Sequence, residues 1–468
     1  MKLVSAIALL VLAIPIYGQT TFRYIAPAGA TPAGNDSNSG VDAAHPWLSP
    51  NHAVTAPTVI LAIAGAYDSA NFYNQQWGAC SSTGDLCWVK CATTFGCTIT
   101  SSTEHAMFIS ASYWGTQGFV LNTTGSGGGC VVLAPSYGSE TQIDHIVVAN
   151  TICNGAIGDG FDTNNSYGIT PATGVDYVAY LGNIAYATGG NSATCAAGLS
   201  FYSLAASDTL PGTHVYMAGN FGWNNTSSCG DGEGIIFDTF DGVEDWPTPQ
   251  PYTPQAVAEN NIMVWNNGPG VQVDLNQNGS GPWAPVYFLH NTVAYNAQGP
   301  STASYCAEIV LGTTVTTYST TNLVVAPTQY CFGGGSVVHY GTAPVFAATV
   351  TNKVYNEFAY SAFGTGVGSV SSTGFVAGPN NITSTNPTLS NPVQPGAPSC
   401  SGQPTTTACM AGLIANYAPT NAAAKDYGYQ QPSTTSVYNP YYPQWLCSVT
   451  NIPTGLHTPG CTAAEHWQ

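Results

Sequence analysis

The chain has 468 residues, only 6% of them charged, with five Lys plus Arg against 23 Asp plus Glu and a net charge of −18. That balance argues against nucleic acid or an anionic membrane as partner, because both require basic patches. The length suits either one elongated repeat body or two ordinary domains.

Met1 and Lys2 precede the apolar run "LVSAIALLVLAIPI" and then "YGQ". A basic start, a short apolar segment and a small residue at the cut predict a secretion signal over residues 1–18. The run is too short for a membrane span, and no later stretch approaches the ~20 apolar residues one needs. The mature protein is expected to be secreted, extracellular and monomeric.

All fourteen cysteines follow that segment. An even count in an exported chain predicts disulfides, with the Cys80–Cys97 cluster as a stapled loop; metal binding is the weaker reading and the pairing stays open.

From there on, short β-branched runs alternate with Gly, Asn, Ser and Thr, which predicts an all-β chain. Asparagines recur between apolar runs at 122, 150, 183, 220, 261 and 291, with a weaker member at 322. An apolar strand, a turn asparagine and a second apolar strand, repeated with variable insertions, is the pattern of a solenoid of stacked coils. Asparagine tolerates left-handed backbone angles at such a turn, and its amide can bond to the same residue one coil away.

The stretches "YIAPAGATPAGNDSNSGVDAAHPWLSPNHAV", "PTVILAIAGAYD" and "DGEGIIFDTFDG" followed by "YTPQAVAENNIMVWNNGPGVQV" are similar to right-handed parallel β-helix proteins of the pectate-lyase-like superfamily. The resemblance spans most of residues 21–380, so the β-helix is expected over 19–380. It implies a fold, and polysaccharide chemistry in general, more than one reaction. Related sequences often carry Arg in the turn where this chain has Pro269.

Each coil should contribute a third strand that begins near a glycine: "GFDTN", "GLSFY", "GIIFD" and "GVQVD", from Gly160, Gly198, Gly234 and Gly270. The first and third residues after each glycine are almost all apolar and should point inward. The second and fourth then face out: Asp162 and Asn164, Ser200 and Tyr202, Ile236 and Asp238, Gln272 and Asp274. Asp238 and Asp274 would stand in one column on consecutive coils, their carboxyls on the order of 5 Å apart. Asp159 and Asp162, in a matching column two coils earlier, would serve a neighbouring sugar subsite. Glu308 follows one coil later with its side unsettled.

Two carboxyls so close raise one another's proton affinity, leaving one as acid and one charged, which is the arrangement glycosidic cleavage uses. Asp238 and Asp274 are therefore the candidate catalytic pair, with Glu233 at the rim as a wider partner. Asp162, Tyr202, Trp246, Tyr252, Gln272 and Trp283 are the candidate substrate contacts, the aromatic ones because sugar C–H groups pack on flat rings. The dense acids also offer oxygens to calcium at Asp231, Asp238 and Asp241. A hydrolase reading needs no cofactor. A lyase would need a base and a neutraliser for a uronate, commonly Lys, Arg or calcium, and no Lys or Arg lies between residues 91 and 352. A glycoside hydrolase is the favoured function, with a calcium-dependent polysaccharide lyase and a non-catalytic carbohydrate-binding protein as alternatives. His145, His214 and His290 are read as structural.

Residues 381–468 are rich in Pro, Ser and Thr and carry four cysteines. They are expected to form a disulfide-stapled cap over the last coil, because an open solenoid end is an unpaired strand edge.

Overall fold

The computed structural model describes residues 20–452 except 74–76, 83, 125–127, 137–140, 165–173, 191–194, 228–230, 241–251, 275–284, 298–306, 313–314, 327–329, 335–351, 362–363, 366–374, 378 and 431–440. The expected signal segment lies outside the described residues.

The chain visits three sheets in rotation. Thr213–Ala218 belongs to the first, Phe221–Trp223 to the second and Ile235–Asp238 to the third, and Gln255–Glu259 returns to the first. The sheets hold 12, 11 and 8 strands, and each strand pairs with its counterpart one coil away. Pairing within them is parallel, save for Phe358–Ser361 with Gly364–Thr365 near the C-terminal end. The molecule is a parallel β-helix, the fold class that the repeats and the resemblance predict.

Two corners of the coil share one local grammar: a residue with positive φ followed by a buried side chain that bonds the next coil. At the first corner the positive-φ residues are Asn150, Gly182, Gly219, Asn260, His290, Thr321 and Asn356. The ladder residues directly after them are Thr151, Asn183, Asn220, Asn261, Asn291, Asn322 and Glu357. The amide of Asn220 donates to Asn261 Oδ1 at 3.0 Å and to the Tyr180 carbonyl at 2.9 Å. Asn261 repeats this with Asn291 at 2.9 Å and the Met217 carbonyl at 3.0 Å. The left-handed angle and the ladder amide, expected of one asparagine, thus fall on two successive residues. Asn150 accordingly sits at the positive-φ corner, one place before the ladder, and Asn122 lies inside the strand Phe119–Thr123.

A second ladder at the other corner is absent from the sequence reading. Thr188, Asn225, Asn266 and Asn296 follow the positive-φ residues Ala187, Asn224, Trp265 and Tyr295. Asn266 Nδ2 donates to Asn296 Oδ1 at 2.8 Å, and Asn296 Nδ2 donates to Glu308 Oε2 at 2.7 Å. This ladder explains the glycines that open the third-sheet strands. A Cβ on Gly198 would stand 2.6 Å from Asn225 Nδ2, and one on Gly270 2.5 Å from Asn296 Nδ2. Val271 pairs with Ile309, so Glu308 occupies the Gly270 position one coil later, and its carboxylate ends the ladder. Glu308 is buried and structural, which settles its side.

Inward-facing Phe161, Phe201 and Phe237 form an aromatic seam beneath the third sheet with Tyr180 and Phe288. Successive ring centroids lie 5.0–5.9 Å apart. Each buried ring contributes on the order of 2–3 kcal/mol. The third-sheet strands are therefore pinned from inside as well as along their ladders. Disulfides join Cys80 to Cys87, Cys91 to Cys97, Cys130 to Cys153 and Cys400 to Cys409.

The described part of the C-terminal segment begins over the last coil, where Asn381 accepts the Glu357 N–H at 2.9 Å and Ile382 bridges to Phe358. Further on, its described residues lie lengthwise along the solenoid. Met410, Leu413 and Tyr417 cover Trp223, Ile262 and Val264 on the second sheet. Tyr442, Leu446, Val449 and Ile452 cover Val147, Leu181 and Val257 on the first. The physical reason is the outer faces themselves: both sheets present apolar side chains outward, and burying them outweighs capping one edge. The polar outer face of the third sheet is where the acids stand.

Candidate active site

The four third-sheet strands Phe161–Thr163, Leu199–Tyr202, Ile235–Asp238 and Val271–Asp274 hold the predicted side chains. The alternation is as read: Phe161, Thr163, Leu199, Phe201, Ile235, Phe237, Val271 and Val273 are all buried. Tyr202 pairs with Asp238, and Asp238 with Asp274, so these three share one outward column. Each of the three is half-buried. Neighbouring members stand one strand spacing apart, ~4.8 Å.

Asp162 belongs to a different column. Phe161 pairs with Leu199, which places Asp162 beside Ser200, in line with Ile236 and Gln272 rather than with Asp238. The side chains of this second column are almost wholly buried, Asp162 at 6% exposure and Gln272 at 0%.

Asp162, Ser200 and Ile236 of one column and Tyr202 and Asp238 of the other form one wall of a cleft of about 260 Å³, while Gln272 and Asp274 stand one coil beyond its lining. Asp159, Asp162, Asp231, Glu233 and Asp238 line it, together with Asn164, Ser200, Tyr202 and Ile236. Cys195, Ala196 and Ala197 close another side, and Cys195 is disulfide-bonded. The Ala197 N–H donates to Asp159 Oδ1 at 2.7 Å, which anchors that wall to the acid. Sequence reasoning missed this wall, because an alanine pair after a cysteine carries no chemical signature.

Local structure aims the acids. Thr239, at φ 36°, donates its hydroxyl to Asp238 Oδ1 at 2.7 Å and its N–H to the Asp274 carbonyl at 3.0 Å. Gln272 Nε2 donates to Asp274 Oδ2 at 3.4 Å. The Gly232 N–H donates to Glu233 Oε2 at 3.0 Å, and the Glu233 carbonyl accepts the Gly198 N–H at 2.8 Å. Thr163 Oγ1 takes the Tyr202 N–H at 2.8 Å, fixing the strand end that carries this ring.

The electrostatics follow from crowding acids without cations. Burial, then the charge of Asp231, then Asp274 and Asp238, holds the Glu233 carboxyl well above its ordinary range. Burial and the charge of Asp159 do the same to Asp162. Asp159 is pushed up to about 7, chiefly by burial. Glu233 Oε1 and Asp162 Oδ1 are buried and have no hydrogen-bond partner among the described residues. An acid kept neutral beside charged carboxylates is the division of labour that proton-transfer catalysis requires.

Tyr252 does not join the cleft. It is buried, and its hydroxyl donates to Asp176 Oδ1 at 2.7 Å, on a carboxylate that also faces His214 and accepts from Ser207. Its ring packs on Phe240 inside the core, so this tyrosine serves structure. Trp246, Trp283 and Asp241 lie outside the described residues. Of the expected calcium set, Asp231 and Asp238 line the cleft and Asp241 lies outside the described residues; among the described residues no group of three His, Cys, Asp or Glu side chains is placed to hold a metal.

No protein-family model and no curated protein matches the chain. Solved structures that resemble it include pectate lyase Pel9A, at 15% identity over 80% of this chain and 84% of that one, with a TM-score of 0.45. The A-module of mannuronan C-5 epimerase AlgE4 from Azotobacter vinelandii is 15% identical over 70% and 91% of the two chains, with a TM-score of 0.35. A GH136 lacto-N-biosidase from Eubacterium ramulus is 11% identical over 78% and 68%, with a TM-score of 0.38. These likenesses are distant and their named activities differ, so the fold assignment rests on the strand pairing itself.

Proposed function

We propose that the protein is a polysaccharide-active enzyme that hydrolyses glycosidic bonds in this cleft. The observation that carries the reading is Glu233: a buried carboxyl kept protonated and lining the same cleft as Asp231 and Asp238. Its Oε2 is engaged by the Gly232 N–H, which leaves Oε1 as the oxygen that donates a proton. Glu233 would protonate the glycosidic oxygen as the bond to the anomeric carbon breaks. Water would add its hydroxyl to that carbon, and its remaining proton would pass to Asp238, the member of the outward pair that lines the cleft. Tyr202, on the wall beside Asp238, offers a face to the sugar ring.

A lyase is less well supported, since among the described residues no Lys, Arg or His lines the cleft to take the proton beside a uronate carboxyl. The protein would act outside the cell, on polymers too large to enter it. The test is incubation with a broad polysaccharide panel, with and without a chelator. New reducing ends without the ultraviolet absorbance of an unsaturated product support hydrolysis. Chelator-sensitive absorbance would mean a lyase, and no product from any polymer would leave binding alone.

A further inference from the structure

We infer that the cleft is built for a glycan bearing free ammonium groups, a polymer of amino sugars. This rests on the hydrolase reading for its catalytic meaning, while the binding itself stands independently. Among the described residues, five carboxyl groups line the cleft and no Lys, Arg or His does. Acid crowding alone would be an ordinary solvated surface. Here Asp162 lines the cleft while more than nine-tenths buried, and its Oδ1 has no partner among the described residues. Burial and the charge of Asp159 favour its protonated form in the empty cleft; a cation that displaces that proton supplies the donor whose absence costs a buried carboxylate oxygen about 1–3 kcal/mol.

The kind of donor follows from what each sugar carries. A hydroxyl both donates and accepts, a uronate carboxylate only accepts, and an ammonium only donates, three times, and brings positive charge. The lining has acceptors in excess, and beside the acids its polar side chains are Asn164, Ser200 and Tyr202. Uronates would add negative charge beside the acids. Neutral sugars would satisfy the orphaned Asp162 oxygen but not the crowded charge. Ammonium does both. Asp162 and Asp238 arise two coils apart along the solenoid axis, ~10 Å, so an oligomer lying along the axis would meet acid at more than one unit.

The experiment is calorimetric titration of the full protein with a glucosamine oligomer, its fully N-acetylated counterpart, a galacturonate oligomer and an oligolysine of equal charge. The glucosamine oligomer should bind at least about tenfold more tightly than the other three and weaken with added salt. Because burial pushes Asp159 up to about 7, binding near neutral pH should also release protons, seen as a buffer-dependent heat. The Asp162→Asn protein, checked for unchanged circular dichroism, should lose about tenfold in this affinity. Should it fail to fold, the wild-type comparison decides by itself.

Equal or tighter binding of the N-acetylated oligomer, or equal binding of oligolysine, would overturn the inference, as would no glucosamine binding at all. Cleavage of a neutral glycan without glucosamine binding sinks this inference and leaves the hydrolase standing. Tight glucosamine binding with nothing cleaved does the reverse.

Discussion

Asp238 and Asp274 are register partners on consecutive coils of the third sheet, and Thr239 ties them together by giving its hydroxyl to the first and its N–H to the backbone of the second. Both side chains are half-buried on the outer face, clear of the aromatic seam that holds the strands. Replacing Asp238 with Asn should therefore abolish release of reducing ends, and replacing Asp274 should weaken it, each moving the unfolding temperature little. Full activity in Asp238→Asn would remove it from the reaction.

Glu233 makes a different prediction, because its role depends on being neutral. Glu233→Gln keeps the shape and the bond from the Gly232 N–H but has no proton to give. Turnover should fall by roughly 10²–10⁴, the usual worth of a positioned acid. In the wild-type protein, activity should fall on the alkaline side as this proton is lost. A Gln variant with residual activity but an unchanged alkaline limb would assign that limb to another group.

Stability should respond to pH in a direction that the same burial fixes. Asp159 is pushed up to about 7 and Glu357 to about 8, both chiefly by burial. A carboxyl whose folded pKa lies above its unfolded value adds stability that is complete below the unfolded value and is lost as pH rises through the folded one. The unfolding temperature should therefore decline between about pH 4 and pH 8. Asp176 is shifted down, with burial opposing and the His214 hydrogen bond leading the groups that prevail, so its effect appears only below its ordinary 3.8. A melting temperature that rises steadily from pH 4 to pH 8 would contradict this balance.

The repeat, the inward and outward alternation and the Asp238–Asp274 column were legible in sequence because each is a property of spacing along one strand. What escaped depends on which residues meet across coils. The second ladder escaped because its members are Thr188, Asn225, Asn266 and Asn296, preceded by residues as different as Ala187 and Trp265; only the shared positive φ unites them. The glycine alignment already set Asp162 beside Ser200, as the pairing of Phe161 with Leu199 shows; matching it to the Asp238 column followed the shared acid–glycine motif instead of that register. Tyr252 looked like a groove aromatic because a Pro-rich insertion precedes it. Its partner Asp176 lies 76 residues earlier, and nothing local announces the pair.

The first ladder gives a prediction about the fold alone. Asn261 sits midway in it: its amide donates to Asn291 and to the Met217 carbonyl, and its Oδ1 accepts from the Asn220 amide and N–H. All of these groups are buried. Asn261→Ala removes the links on both sides and strands at least the Asn220 donors and the Met217 acceptor without water. Each stranded group costs about 1–3 kcal/mol, so the variant should lose roughly 3 kcal/mol or more. Asn261→Asp should recover only part of that loss, since a carboxylate accepts from Asn220 but cannot donate onward to Met217. Chemical denaturation of the three proteins should rank them wild type, Asp, Ala. An Ala variant as stable as wild type would mean that the coils are held by their aromatic seam and strand pairing without the ladder.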